Sequence, residues 1–209
     1  MVEILATLGR TLGFSFAAGI NLYATVAILG LAKRYGWVTL PEQFQVFDND
    51  IVIAVAIALY LIEFVADKIP WVDTVWDAVH TVIRPIGGAV IAVTTLGEAS
   101  PTMQGLIALL GGSLAAGTHL TKAGTRAAAN TSPEPFSNWF LSLAEDVFVI
   151  GLSALALKYP VAAAVVVVAG TAVIVTCATW IVHALRRRWR KSPLGPDGPA
   201  VTQSSASAR

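Results

Sequence analysis

Charge is scarce in this chain. Asp, Glu, Lys and Arg make up 13% of its 209 residues, against about 25% in a typical soluble domain. That shortage excludes an ordinary hydrated surface. Cysteine occurs once, as Cys177 inside an apolar run, which excludes an internal disulfide and leaves packing as its expected role. The N-terminal Met1-Val2-Glu3 lacks the basic start of a secretory signal, and the apolar run that follows continues past any small-residue cleavage point. A retained first helix is expected there. What the chain does hold is apolar: 56% of residues fall in the AVILMFWYC class and mean hydropathy is +0.69. The expected fold class is all-α, a polytopic integral membrane helix bundle within residues 1–191.

A spanning helix needs about 20 mostly apolar residues. Six segments qualify or come close: Ile4–Ala32 with Gly19 and Asn21 interrupting it, Ile51–Ala66, Thr81–Gly97, Leu106–Ala129, Trp139–Leu157 and Val161–Leu185. The third is short and contains Pro85, Gly87 and Gly88, so a broken or re-entrant segment is expected. The last ends in Arg186-Arg187-Arg188-Trp189-Arg190-Lys191, a cytoplasmic marker under the positive-inside rule. Six spans then place both termini in the cytoplasm of a bacterial plasma (inner) membrane. Because the basic run abuts a membrane helix, it reads as a topology anchor and not as a nucleic-acid site. Residues 192–209 are rich in Ser, Pro, Gly and Ala, and a disordered polar tail is expected.

Ser15-Phe16-Ala17-Ala18-Gly19-Ile20-Asn21-Leu22 is echoed by Ser113-Leu114-Ala115-Ala116-Gly117-Thr118-His119-Leu120, five of eight positions being identical at an offset of 98. Lys68-Ile69-Pro70 and Lys158-Tyr159-Pro160 close the second and fifth segments. Two repeats of three segments, residues 4–98 and 104–185, must enter a membrane from opposite sides, which is an inverted-repeat plan. Ser15 with Gly19 and Ser113 with Gly117 are small pairs four residues apart, the spacing of a close helix crossing. Asn21 and His119, at equivalent positions, are expected to face each other near the midplane.

Ionisable groups at membrane depth are costly and need a reason. Glu63 and Asp67 lie one turn apart on the second segment. After Pro70 a new helix is expected, presenting Asp73, Asp77, His80 and Arg84 on one stripe, with Trp71, Val72, Val75, Val79 and Val82 opposite, until Pro85 disrupts it. Two readings stay open: carboxylates, imidazole and guanidinium facing a water-filled cavity, or an amphipathic helix lying at the interface with its charges solvated. Asp73, Asp77 and His80 are weak metal-ligand candidates with no second Cys/His cluster to support them. In the fourth segment His119, Lys122 and Arg126 share a face. Glu145 or Asp146 on the fifth is expected to pair with Lys122 or Arg126, as a structural bridge or as part of a site. Ser137 or Asn138 is expected to cap that helix.

Gly19-Ile20-Asn21-Leu22-Tyr23, Asp67-Lys68-Ile69-Pro70 through Asp73, Trp76-Asp77, His80-Thr81, Ile83-Arg84-Pro85, and Lys122 through Arg126 to Ser132-Pro133-Glu134-Pro135 and Ser137-Asn138 together resemble the bacterial membrane family called domain of unknown function, number 4126. The resemblance covers most of the chain up to the basic cluster. It implies a multi-spanning membrane protein and no established activity, so no catalytic residue is carried over.

Three functions compete. The first is a small-solute or ion transporter, with proton coupling as one form, using the intramembrane charges. The second is a membrane-embedded, metal-dependent enzyme acting on a lipid or phosphorylated carrier, with Asp73, Asp77 and His80 as ligands or acid and base and Arg84, Lys122 and Arg126 gripping phosphate. The third is a non-transporting scaffold or accessory subunit. No cofactor is expected. The lipid bilayer is the expected partner, a small solute or ion and a second copy of the chain are compatible with the sequence, and nucleic acid is not.

Overall fold

The computed structural model describes residues 2–131 and 135–191. The expected tail and Ser132-Pro133-Glu134 lie outside the described residues. Among these, the chain forms seven α-helices and one short 3-10 turn, with no strand. They are α1 (Val2–Ile20), α2 (Leu22–Arg34), the 3-10 turn (Glu42–Phe47), α3 (Asp50–Ala66), α4 (Pro70–Leu96), α5 (Pro101–Ala129), α6 (Pro135–Lys158) and α7 (Pro160–Lys191). Two compact units result, Met1–Thr171 and Ala172–Arg209.

Local chemistry sets the helix starts. Proline occupies the first position of α4, α5, α6 and α7, where its missing N–H has no helical partner to lose. Asn49 caps α3 by accepting from Ile51 N and Val52 N, and Ser100 caps α5 by accepting from Met103 N. Gly97, at φ 76°, ends α4 in a conformation that favours glycine.

The first unit is built around α1, which packs against α4, α5 and α6 and buries Phe14, Phe16, Ala17 and Ala18. The most extensive pairing is α4 with α5. A Cβ on Gly88 would strike Ala115, and one on Gly111 would strike Ala92, so small residues let the two backbones touch. On the outer face of α4, Val75, Val79, Val82, Ile86 and Val90 are exposed, while Asp73, Asp77, His80 and Arg84 are buried. A water-soluble protein has the reverse polarity; an apolar exterior over a charged interior suits lipid. Among the described residues three helices, Pro70–Leu96, Phe136–Lys158 and Pro160–Arg190, are long and apolar enough to cross a membrane. The chain is an all-helical membrane protein.

Four expectations are corrected. The third segment is neither short nor broken: α4 is a continuous helix of 27 residues that runs through Pro85. Proline there removes one N–H, and the neighbours hold the helix: Gly112 packs near the Pro85 carbonyl, and Ser15 Oγ donates to Gly88 O at 3.3 Å. The charged face of α4 is not solvated, being covered chiefly by α5 and α1. Ser137 and Asn138 do not cap α6, which begins before them at Pro135. Cys177, expected to pack, is exposed.

The two copies of the small-residue motif also differ. The first ends α1 at a break at Asn21, whereas the second lies inside unbroken α5. The copies do meet: Gly19 sits against Ala115 and Thr118, and Thr118 Oγ1 donates to Phe16 O at 3.1 Å. Gly117 takes no part, since nothing lies within 4 Å of its would-be Cβ, and Ser113 is exposed. Helix rotation turns Ala115 and Thr118 to the crossing in their place.

Candidate functional site

The break at Asn21 is made by its own side chain. In a continuous helix Ala24 N would bond to Ile20 O; here it donates to Asn21 Oδ1 at 2.9 Å, the N-cap of α2. Ile20 O is released and accepts from Lys122 Nζ at 3.3 Å, while Gly19 O accepts from Arg84 Nη1 at 3.4 Å. Two cations thus sit on the carbonyl end of α1, where the helix dipole favours positive charge.

Around Asn21 at this break, α3 with its C-cap, α4, α5 and α6 bring together the other eleven charged and polar candidates. Arg84 Nη2 donates to Glu63 Oε1 at 2.7 Å. Lys122 Nζ contacts Glu63 Oε1 at 3.3 Å, Asp67 Oδ2 at 3.1 Å and Glu145 Oε2 at 3.6 Å. Arg126 Nη2 contacts Asp67 Oδ2 at 2.9 Å and Glu145 Oε2 at 2.8 Å, and its Nε donates to both Glu145 oxygens. Its Nη1 donates to Asp67 O and Asn138 Oδ1, so every nitrogen of the guanidinium is engaged. Asn138 Nδ2 in turn donates to Asp67 O, which fixes the end of α3 to α6.

Three cations therefore serve Glu63, Asp67 and Glu145. Asp77 shares Arg84 with Glu63, and Asp73 and Asp146 have no cation within ion-pair distance among the described residues. Asp73 accepts from Asn130 Nδ2 at 3.1 Å. Asp77 Oδ1 lies 3.5 Å from Arg84 Nη1, within ion-pair reach but making no hydrogen bond. Asp146 Oδ1 accepts from Asn21 Nδ2 at 3.3 Å. Each of these three carboxylates is buried and keeps one oxygen without a hydrogen-bond partner, as Glu63 and Asp67 also do. A surplus carboxylate in such surroundings can be made neutral by a proton or matched by a bound cation.

The histidines occupy fixed roles. Arg84 can only donate, so His119 Nδ1 accepts from Arg84 Nη1 at 2.8 Å. Its Nε2–H then points to Asp77 O and Thr81 Oγ1, both at 3.1 Å, which makes the ring the neutral Nε2–H tautomer. His80 Nδ1–H donates to Trp76 O at 2.7 Å, leaving Nε2 to accept from Tyr23 OH at 2.9 Å, with the Trp76 ring stacked 4.6 Å away. Asn21 and His119 do not pair as expected: Asn21 serves α2 and Asp146, and His119 serves Arg84. Asp73, Asp77 and His80 do not converge as a metal triad either. Among the described residues no group of three His, Cys, Asp or Glu is placed to hold a metal ion.

Tyr23, Thr81 and Asn130 belong to this site and were not among the residues expected to form it, and Asn138 was expected only as a cap. The one available signal was position: Tyr23 follows the helix break by two residues, and Asn130 falls one turn beyond Arg126 on the same face. A cleft of about 230 Å³ between α4 and α5 is lined by Asp73, Thr74, Asp77, Thr81, Arg126 and Asn130 among others.

A family model described as domain of unknown function (DUF4126) matches residues 8–181. No curated protein and no solved structure matches the chain.

Proposed function

Because the chain belongs to the DUF4126 family, whose description prescribes no activity, we propose from its buried charges that it is a small-solute or ion transporter coupled to protons. The observation that carries this reading is the imbalance of the network: six carboxylates share three cations, Asp73 and Asp146 lying outside their ion-pair reach, gathered at a helix break inside an apolar exterior. Matched pairs alone would serve a structural bundle. Surplus carboxylates at membrane depth are costly to keep ionised, so they favour a cycle in which a proton or cation is taken up and released. Broken helices at such sites are a recurrent transporter device. The basic run that ends α7 supports cytoplasmic termini in a bacterial inner membrane.

The enzyme reading draws less support, because His80 is turned to Tyr23 and Trp76 and away from a shared ligand position with Asp73 and Asp77.

Proton flux into proteoliposomes is the test. Asp77→Asn and Asp146→Asn are expected to cut flux at least tenfold with the melting temperature in detergent unchanged or raised. Flux indifferent to both substitutions, or no flux above empty liposomes, overturns the reading.

A further inference from the structure

We infer that the last turns of α7 carry a binding site for the headgroup of an anionic phospholipid. The inference stands apart from the transport reading and concerns the second unit alone.

Thr176, Thr179, Trp180, His183, Ala184 and Arg187 recur at helical spacing, share one side of α7 and line a groove there of about 510 Å³. That volume falls in the range of about 300–1,000 Å³ usual for small-molecule sites. The groove changes character along the helix. Its first half is apolar: Thr176 Oγ1 donates to Ala172 O at 2.7 Å and Thr179 Oγ1 to Thr176 O at 2.8 Å, so both hydroxyl protons are spent on the backbone. Two methyl groups and the exposed Trp180 ring remain. Its second half is basic. Arg187 is exposed and has no hydrogen-bond or ion-pair partner among the described residues. His183 Nδ1–H donates to Thr179 O at 2.9 Å, which leaves Nε2 as an acceptor for a headgroup hydroxyl.

A phospholipid has the same order, hydrocarbon first and phosphate after it. A helix that starts at Pro160 uses about 20 residues to cross the hydrocarbon, which brings Trp180 to its boundary. Arg187 stands two turns further, about 10 Å along the axis, among the phosphates, where a guanidinium bonds two oxygens at once. Charge decides between lipid classes. Arg186 and Arg188 flank Arg187 and are exposed, and α7 contains no Asp or Glu. This field attracts a net anionic headgroup, whereas a zwitterionic one brings its own cation into it. A soluble anion would gain nothing from the apolar half of the groove.

Native mass spectrometry of the full chain tests this, the protein being released from micelles that hold phosphatidylglycerol and phosphatidylcholine of the same chain length in equal amounts. Retained phosphatidylglycerol is expected to exceed phosphatidylcholine at least fivefold. Arg187→Gln is expected to cut that ratio at least threefold with melting unchanged. Ala184→Phe, which fills the groove and alters no charge, is expected to do the same. Arg34→Gln, at a basic residue already paired with Asp48 and Asp50, is expected to leave the ratio as it was. The inference is overturned by equal retention of the two lipids or by an unchanged ratio in either groove variant. It is also overturned if Arg186→Gln with Arg188→Gln lowers the ratio as far as Arg187→Gln, the mark of diffuse charge with no groove. Loss of the preference in millimolar inorganic phosphate would make this a site for a free anion and overturn it too.

Discussion

Arg84 Nη2 lies 2.7 Å from Glu63 Oε1, and solvent reaches neither side chain. A pair so enclosed contributes little against an apolar replacement of both partners, but losing one partner strands the other. Arg84→Leu is expected to cost about 3–5 kcal/mol, moderated by the second contact of Glu63 with Lys122. The double variant Glu63→Leu/Arg84→Leu is expected to cost less than the sum of the single changes. Thermal unfolding in detergent of the three variants closes the cycle, and simple additivity would contradict it.

The two motif glycines are expected to respond in opposite ways. Gly19 faces the Ala115 backbone, so Gly19→Leu must separate α1 from α5 and lose the fold or most of its stability. Gly117→Ala meets open space and gains helix propensity, about 1 kcal/mol where glycine gives way to alanine in a helix interior. Comparing their melting temperatures is sufficient; a large loss from Gly117→Ala would refute the assignment of the crossing.

Asn21→Ala removes the cap of α2, worth about 1 kcal/mol, and also the donor to Asp146. Asn21→Asp keeps a capping oxygen but sets a carboxylate against Asp146. It is expected to be at least as unstable as Asn21→Ala, and Asp146→Asn is expected to rescue it. Rescue of Asn21→Ala to the same extent would show that charge is not the cause.

Arg126→Lys conserves charge yet is expected to behave as a loss. An ammonium offers three donors from one point, whereas Arg126 spans Asp67, Asn138 and Glu145 with a planar fork. The expected result is a fall in melting temperature comparable to that of Arg126→Met. Equal stability of wild type and Arg126→Lys would argue against the fork.

Much of the site was legible along the chain because helical spacing is geometric. Asp73, Asp77, His80 and Arg84 share a stripe by their four-three-four spacing, and they share a buried face in the fold. Gly19 and Asn21 mark an interruption of the first apolar run, and the chain parts into α1 and α2 there, although the capping role of Asn21 was not read from the sequence. What spacing does not encode is rotation between helices, and that decides that Gly88 and Gly111 meet while Gly117 does not. It also decides which carboxylate meets which cation, so the division into served and surplus acids was beyond the sequence. Pro85 misled for a related reason: a proline read alone predicts an end to the helix, and only the neighbouring α1 and α5 keep α4 continuous.

Ile20 O and Gly19 O, the main-chain acceptors for Lys122 and Arg84, belong to no side chain. Alanine scanning of residues 19 and 20 leaves both oxygens in place, so such a scan would report only the crowding at Gly19 and pass over its role as a counter-charge. The chain keeps part of its electrostatics in the path of its backbone, where substitution reaches it only indirectly, through the asparagine that parts the two helices.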